Sequence, residues 1–416
     1  MAVLGCIADD FTGASDAASF LVKGGMSVRL YNGIPEGSAS GPQPDEAQAI
    51  VIALKSRTQE TRLAVADSLM AARFLLEQGV KQLYFKYCST FDSTPSGNIG
   101  PVADALMELT KAPYTLLCPS LPVNGRTVEG GRLMVNGVPL HESHMRNHPL
   151  TPMWDCRIDK LMEPQSRYPC RALGLDQLEL FLADGREDQP FYVIPDYKDS
   201  EDGGKIAAAF SRLPLLTGGS GLLEPLARIW TGRLMTNGRI PESGTKGLAL
   251  LVAGSCSKAT LGQIAWYQSQ GMPCYKLDPK AMLEGRQTLD DAWTFIQEHG
   301  SNTNPVLVYS SDAPEKVREF QKLGAEKVAT ILEGSAAELT ARAVEAGYTR
   351  IISAGGETSG AVTKRLGFSS YWMGESVAPG VPIMVPTERP DIRLILKSGN
   401  FGQEDFFRRA LDMTSR

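Results

Sequence analysis

The chain has 416 residues, 43% hydrophobic and 21% charged, an ordinary globular composition with length enough for two or three domains. A formal net charge of −5 and a pI near 5.6 argue against a general nucleic-acid binder, which usually presents a basic face. No apolar run approaches the roughly 20 residues of a membrane helix. The start, Met1 to Asp10, lacks the basic region of a signal peptide, so neither nucleic acid nor membrane is expected as a partner. The seven cysteines (Cys6, Cys88, Cys118, Cys156, Cys170, Cys256, Cys274) include no Cys-x-x-Cys pair and read as reduced thiols of a cytoplasmic protein. His141, His144 and His148 lie close together, but no cysteine or glutamate at metal spacing supports zinc there.

In chain order, Val3 to Ala8 predicts a first strand, with Asp9-Asp10 at its end. Phe11 to Asp16 then leads into a helical pattern (Ala17, Phe20, Leu21) that stops at Gly24-Gly25. Strands are predicted at 27–31, 49–54, 82–87 and 114–118, with a long helix through Leu76 and another over about 99–109. Strands alternating with helices imply a mostly parallel sheet covered on both faces. Asn136-Gly137 between two apolar triplets is a hairpin signal. Strands at 191–194 and 214–216 follow, the latter leading into Thr217-Gly218-Gly219-Ser220-Gly221. The stretch 233–246, rich in Gly, Pro, Ser and Asn, reads as a linker between a domain at 1–232 and another at 247–416. The second domain carries predicted strands at 248–253, 274–277, 306–309, 350–353, 382–385 and 394–397. The expected fold is two α/β domains with mostly parallel sheets and a ligand cleft between them. No internal repeat or low-complexity segment is visible.

Ligands of open α/β sheets bind outside the carboxyl ends of the strands. Three loops of the second domain fit that position and are rich in Gly, Ser and Thr: 254–257, 355–360 and 398–402. Glycines admit close approach of a ligand, and a helix start offers unpaired N–H groups to phosphate. None of the three is a Walker or Gly-x-Gly-x-x-Gly pattern. Lys258 or Lys397 could supply charge, although each is more often a solvated side chain. Glu357 is expected either to cap the following helix or to act through Mg²⁺. The first domain's strand ends carry Asp9, Asp10, Asp16, Lys86, Asp92, Arg126 and Asp196. Carboxylates accept from sugar hydroxyls, and Arg and Lys hold a carboxylate, so this set suits a small polyhydroxy acid. Asp16 and Asp92 could equally be helix caps, and Asp196 could start a turn. A phosphate-binding unit beside a hydroxyl-binding unit suggests a kinase that closes over its substrates.

Several motifs resemble the four-carbon acid sugar kinase family: Ile7 to Asp16, Ser120 to Thr127, Asn147 to Met153, Thr217 to Gly221, Gly254 to Thr260, Ala354 to Gly360 and Lys397 to Gly402. They occur in family order over essentially the whole chain. Phe11 and the Gly-Gly-Glu-Thr-Ser-Gly form are most similar to the 3-oxo-tetronate 4-kinases, with threonate and erythronate kinases the close alternatives. The resemblance implies an N-terminal domain for the acid sugar and a C-terminal domain for ATP, accompanied by Mg²⁺ whose ligands stay unassigned. ATP contacts would fall on Ser255, Ser257, Gly355, Gly356, Glu357, Thr358 and Gly399. In a kinase, Asp10 or Asp9 would orient or deprotonate the attacking hydroxyl, with Lys86 and Arg126 holding the substrate carboxylate and Asp196 also at that site. The alternatives from other classes are a dinucleotide-dependent hydroxy-acid dehydrogenase, which lacks its glycine fingerprint here, and a non-catalytic sugar-acid sensor. A homo-oligomer is compatible with the sequence but not specified by it.

Overall fold

A computed structural model describes residues 2–35, 47–148, 150–184, 189–235 and 238–416. The chain divides into two compact units, Met1–Ile240 and Pro241–Arg416. Residues 236 and 237 of the predicted linker lie outside the described residues.

The first unit begins with β1 (Leu4–Ala8), α1 (Phe11–Lys23), β2 (Val28–Asn32), β3 (Ala49–Ala53), α2 (Thr61–Glu77), β4 (Gln82–Lys86) and α3 (Ile99–Thr110). Next come β5 (Tyr114–Leu116), β6 (Arg126–Glu129), β7 (Arg132–Val135), β8 (Val138–Pro139), α4 (Ile158–Met162), β9 (Cys170–Leu173) and α5 (Leu178–Asp184). The unit closes with β10 (Phe191–Pro195), α6 (Ser200–Phe210), β11 (Leu215–Gly218) and α7 (Leu223–Leu234). The main sheet is parallel, in the order β11-β4-β1-β3-β2. Every residue of β1, β3 and β4 is buried, which is why β1 and β3 lack polar alternation and β4 is apolar between Gln82 and Lys86.

The first unit is less uniform than the expected single sheet. A second parallel sheet has the order β5-β10-β9, and a small antiparallel sheet runs β6-β7-β8. The predicted hairpin is there, with Asn136 at φ +51° and Gly137 at φ +79°, both left-handed as a two-residue type I′ turn requires. Helix α1 begins at Phe11, earlier than expected, because Asp10 caps it by accepting from the Gly13 N–H at 2.7 Å. Asp16 therefore sits inside the helix and is not its cap.

The second unit contains β12 (Ala249–Ala253), α8 (Lys258–Ser269), β13 (Cys274–Lys276), α9 (Pro279–Leu283), α10 (Leu289–His299), β14 (Val306–Tyr309), α11 (Pro314–Gln321) and α12 (Ala325–Glu345). It continues with β15 (Arg350–Ala354), α13 (Gly356–Leu366), β16 (Ser370–Ala378), β17 (Val381–Pro386), β18 (Arg393–Lys397) and α14 (Phe406–Thr414). The sheet order is β16-β17-β18-β15-β12-β14-β13, parallel from β18 onward and antiparallel at β16-β17-β18. Strand β16 was not expected. Its apolar run is interrupted by Gly374-Glu375-Ser376, where the register with β17 shifts. Phe406, Phe407, Ala410 and Leu411 of α14 pack on the sheet with Leu251, Ile352 and Ile395.

Candidate active site

In the first unit the ends of β1, β3 and β4 bring four charged groups together, Asp9, Asp10, Arg57 and Lys86. Asp9, one residue past β1, is buried and takes two parallel hydrogen bonds from Arg57, Nε to Oδ2 and Nη2 to Oδ1, both 2.8 Å. The same Nη2 lies 3.0 Å from Oδ1 of Asp10. Burial pushes the Asp9 carboxyl up, and the Arg57 guanidinium opposes that by holding the charged form. Asp10 keeps a third of its side chain exposed, so it is the more accessible of the adjacent acids. Lys86, the last residue of β4, is buried and donates to the Tyr87 carbonyl at 3.0 Å. A Cβ on Gly13 would lie 3.0 Å from that Nζ and 2.4 Å from Asp10 Oδ1, so Gly13 is what allows the ammonium and the carboxylate to approach the helix start.

Asp16, half-buried on α1, accepts from Ser220 Oγ, while its solvent-shielded Oδ1 has no partner among the described residues. Burial raises its pKa, with Lys86 opposing. Asp92 is not a helix cap either; it accepts from Thr90 Oγ1 at 2.6 Å. Ser120 Oγ and Arg126 Nε are also buried without a partner among the described residues. These orphan atoms fall on motifs already singled out, and a buried polar group without a bond is costly unless a ligand satisfies it. The glycines of 218–221 let the loops approach: Cβ atoms there would come within 2.3 Å of the Cys118 carbonyl and within 2.3 Å of the Ser120 carbonyl.

Arg126 opens β6, and one of its terminal nitrogens donates to the Asn124 carbonyl. Asp196 follows β10 and accepts from the Gly130 N–H at 2.7 Å, while burial raises its pKa. It thus tethers the sequence-distant 129–131 turn instead of starting that turn. Among the described residues, no hydrogen bond or ion pair joins Arg126 or Asp196 to Asp9, Asp10 or Lys86. Arg57 is the residue that sequence reasoning under-read. It lies 48 positions from Asp9, and its only signal was its place after β3.

In the second unit the three Gly/Ser loops converge at the ends of β12, β15 and β18. Ser257 caps α8 through Thr260 N and donates to the Gly399 carbonyl at 2.6 Å. A Cβ on Gly399 would lie 2.3 Å from Ser255 Oγ and 3.1 Å from Ser257 Oγ. Gly355 has φ +130° and a would-be Cβ 2.9 Å from the Ser255 N–H nitrogen, so only glycine fits. Buried Thr358 points its Oγ1 at Gly254, where a Cβ would come within 2.1 Å.

Lys397 departs from its expected solvated state. It is fully buried, and its Nζ donates to Thr260 Oγ1 (2.9 Å), the Ser398 carbonyl (3.1 Å) and the Gly399 carbonyl (2.9 Å). Burial lowers its pKa to about 8. Lys258 is exposed.

Helix α13 starts at Gly356, with Gly355 as its cap residue and no side-chain capping bond, so Glu357 does not cap it. Gly356 and Glu357 are exposed on the first turn. A 360 Å³ cavity adjoins these loops, lined at its polar end by Gly254, Ser310, Glu357 and Thr358. Its other wall is apolar, built by Val317 and Phe320 of α11 and Val328, Ala329 and Leu332 of α12, with Glu333 at the margin. Burial and the neighbouring Glu357 raise the Glu333 carboxyl. This wall comes from residues 313–345, a stretch for which the sequence reading gives no element.

None of the seven cysteines is paired. Among the described residues no helix is long and apolar enough to cross a membrane.

Two family models match the chain, a sugar-binding N-terminal domain over residues 4–226 and a nucleotide-binding C-terminal domain over 250–407. A 3-oxo-tetronate kinase of Pseudomonas savastanoi is 41% identical over 98% of this chain and 96% of its own. One from Haemophilus influenzae is 39% identical over 99% of this chain and 100% of its own. Crystal structures of proteins from Haemophilus influenzae and Salmonella typhimurium LT2 superpose with TM-scores of 0.84 and 0.90 at 39% and 38% identity. They cover 98% and 99% of this chain and 99% of each of theirs.

Proposed function

This chain belongs to the four-carbon acid sugar kinase family, most like its 3-oxo-tetronate 4-kinases, and on that premise we propose that it phosphorylates the 4-hydroxyl of 3-oxo-tetronate with ATP. The products are ADP and 3-oxo-tetronate 4-phosphate. The relatives' names and the two domain descriptions favour this over threonate or erythronate as acceptor, over a dehydrogenase and over a sensor.

The observation that carries the reading is the cavity beside three interlocked Gly/Ser loops in the second unit. Its volume suits a nucleoside, and its apolar wall on α11 and α12 suits a purine base. The Gly356 N–H and the rest of the α13 start would receive the phosphates and Ser255 and Ser257, whose N–H groups bond the Ala354 carbonyl and Ser255 Oγ, would line their path, with Gly355 and Gly399 keeping side chains out of the way. Glu357 fits the cation that accompanies ATP: it is exposed, makes no ion pair among the described residues and shares the cavity margin with Glu333. Mg²⁺ there would neutralise charge on the nucleotide's phosphates.

In the first unit Asp10 is the general base. It takes the proton of the 4-hydroxyl as the new O–P bond forms and the bond to ADP breaks. Asp9, locked by Arg57, holds the Asp10 carboxylate's surroundings rigid and accepts from a substrate hydroxyl. Lys86 and Arg126 attract the substrate carboxylate, and Asp16 Oδ1 and Ser120 Oγ are further hydroxyl partners. Asp196 acts through the turn it anchors. The protein works in the cytoplasm, where its seven cysteines stay reduced.

A coupled ADP-release assay over a panel of four-carbon acids tests the reading. Turnover of 3-oxo-tetronate above threonate and erythronate is expected. Preference for another four-carbon acid would move the assignment within the family, and no turnover of any would refute it.

A further inference from the structure

His141, His144 and His148 do not form a common site: His144 is exposed, and His148 Nδ1 is engaged by the Thr151 N–H at 3.1 Å and its hydroxyl at 2.8 Å. His141 instead meets two residues that follow it by more than a dozen positions. One ligand atom each from His141, Asp155 and Cys156 lies within 4.8 Å of the other two. We propose that His141, Asp155 and Cys156 bind a zinc ion that staples the β6-β7-β8 module to the segment entering α4.

Three observations carry this. The His141 Nδ1 atom is sealed from solvent and has no hydrogen-bond partner among the described residues, although the residue as a whole is only half-buried. Its other ring nitrogen lies 3.7 Å from the Glu142 carboxylate, where a small rotation would give the carboxylate–histidine arrangement that orients a metal-bound imidazole. Asp155 Oδ1 accepts from the N–H groups of Cys156 (2.7 Å) and Arg157 (2.9 Å), which fixes the turn, and its second oxygen takes no hydrogen bond among the described residues. Cys156 is buried, and its carbonyl accepts from Leu133 N of β7 at 2.8 Å, so the thiol is held against the hairpin.

A mixed nitrogen, sulfur and oxygen set selects zinc over Mg²⁺, which takes oxygen ligands. The ligand atoms need to draw together by roughly an ångström to meet typical zinc distances of about 2.0–2.3 Å. Water completes a tetrahedron. The site closes the loop from 141 to 155, so its expected effect is on stability and not on phosphoryl transfer. On binding, Cys156 loses its thiol proton to the buffer and the thiolate sulfur bonds the metal.

The test uses the full chain, stripped with a chelator and returned to Mg²⁺. Added Zn²⁺ is expected to bind one per chain by native mass spectrometry and to raise the melting temperature. Added Co²⁺ is expected to give a thiolate-to-cobalt absorption band. Cys156→Ser should abolish that band, Cys256→Ser should keep it, and His141→Ala should weaken Zn²⁺ binding at least about 10-fold. Should Cys156→Ser fail to fold, as circular dichroism would reveal, His141→Ala carries the test. A band that survives Cys156→Ser, no band at all, or Zn²⁺ affinity unchanged in His141→Ala would overturn the site.

Discussion

Arg57 grips both oxygens of Asp9, at 2.8 Å each, and leans a nitrogen 3.0 Å from Asp10. One guanidinium thereby sets the geometry of both acids at the end of β1. Removing it in Arg57→Ala strands a buried carboxylate, a change that costs on the order of 3 kcal/mol. Asp9 then ionises only with difficulty, so its folded pKa rises further above the unfolded one. Stability tied to such a group is intact below the unfolded value and lost as pH rises through the folded one. The variant's deficit in thermal melts should therefore be larger at pH 8 than at pH 5. Equal deficits would mean that Asp9 is not ionised in the native protein.

Asp10→Asn keeps the capping bond to Gly13, since Asn caps a helix about as well as Asp. Loss of fold is therefore not expected, and the change isolates basicity. The variant should lose roughly 10²–10⁴-fold in kcat while KM for ATP changes little. A kcat within a factor of a few of the parent would remove Asp10 from proton transfer.

Gly355→Ala and Gly399→Ala should differ in degree. At Gly355 the backbone itself is forbidden to alanine, at a cost on the order of 1–3 kcal/mol, and the new methyl meets backbone nitrogen. At Gly399 the nearest obstacle is the end of the Ser255 side chain, which can rotate. KM for ATP should rise more in Gly355→Ala than in Gly399→Ala, with acid-sugar binding by calorimetry unchanged in both. The reverse order, or a loss of acid-sugar binding, would contradict the assignment of these loops.

How far this site was legible in sequence depends on the residue. The three Gly/Ser loops could be read because close approach restricts them to small residues in consecutive positions, and the same holds for the Asp9-Asp10 pair after a strand. The Arg57 partnership could not be read, because it joins ends of neighbouring strands in the parallel sheet and depends on which strands are neighbours. The separate β5-β10-β9 sheet was hidden for the same reason: alternation of strands and helices does not say where one sheet stops. Lys397 misled because a lysine after an apolar strand normally reaches solvent. Here three acceptors, Thr260 Oγ1 and two carbonyls, satisfy its three N–H groups and allow burial.

That lysine gives a pH prediction with two opposite signs. Burial lowers its pKa to about 8, below the unfolded value. Between about pH 8 and the unfolded pKa near 10.4 the unfolded chain binds the extra proton, so this group makes stability rise with pH there. A neutral amine has only two N–H groups for three acceptors, so the Gly399 loop loosens over the same range. KM for ATP should rise above pH 8, and Lys397→Met should flatten that inflection. An identical inflection in the variant would assign it to another group.

The most direct measurement is the identity of the phosphorylated position. Phosphorus NMR of the product formed from ATP and 3-oxo-tetronate should show a phosphomonoester coupled to two protons, those of the C4 methylene. A phosphoester coupled to a single proton, from the C2 hydroxyl, or no phosphoester at all, would contradict the proposed reaction.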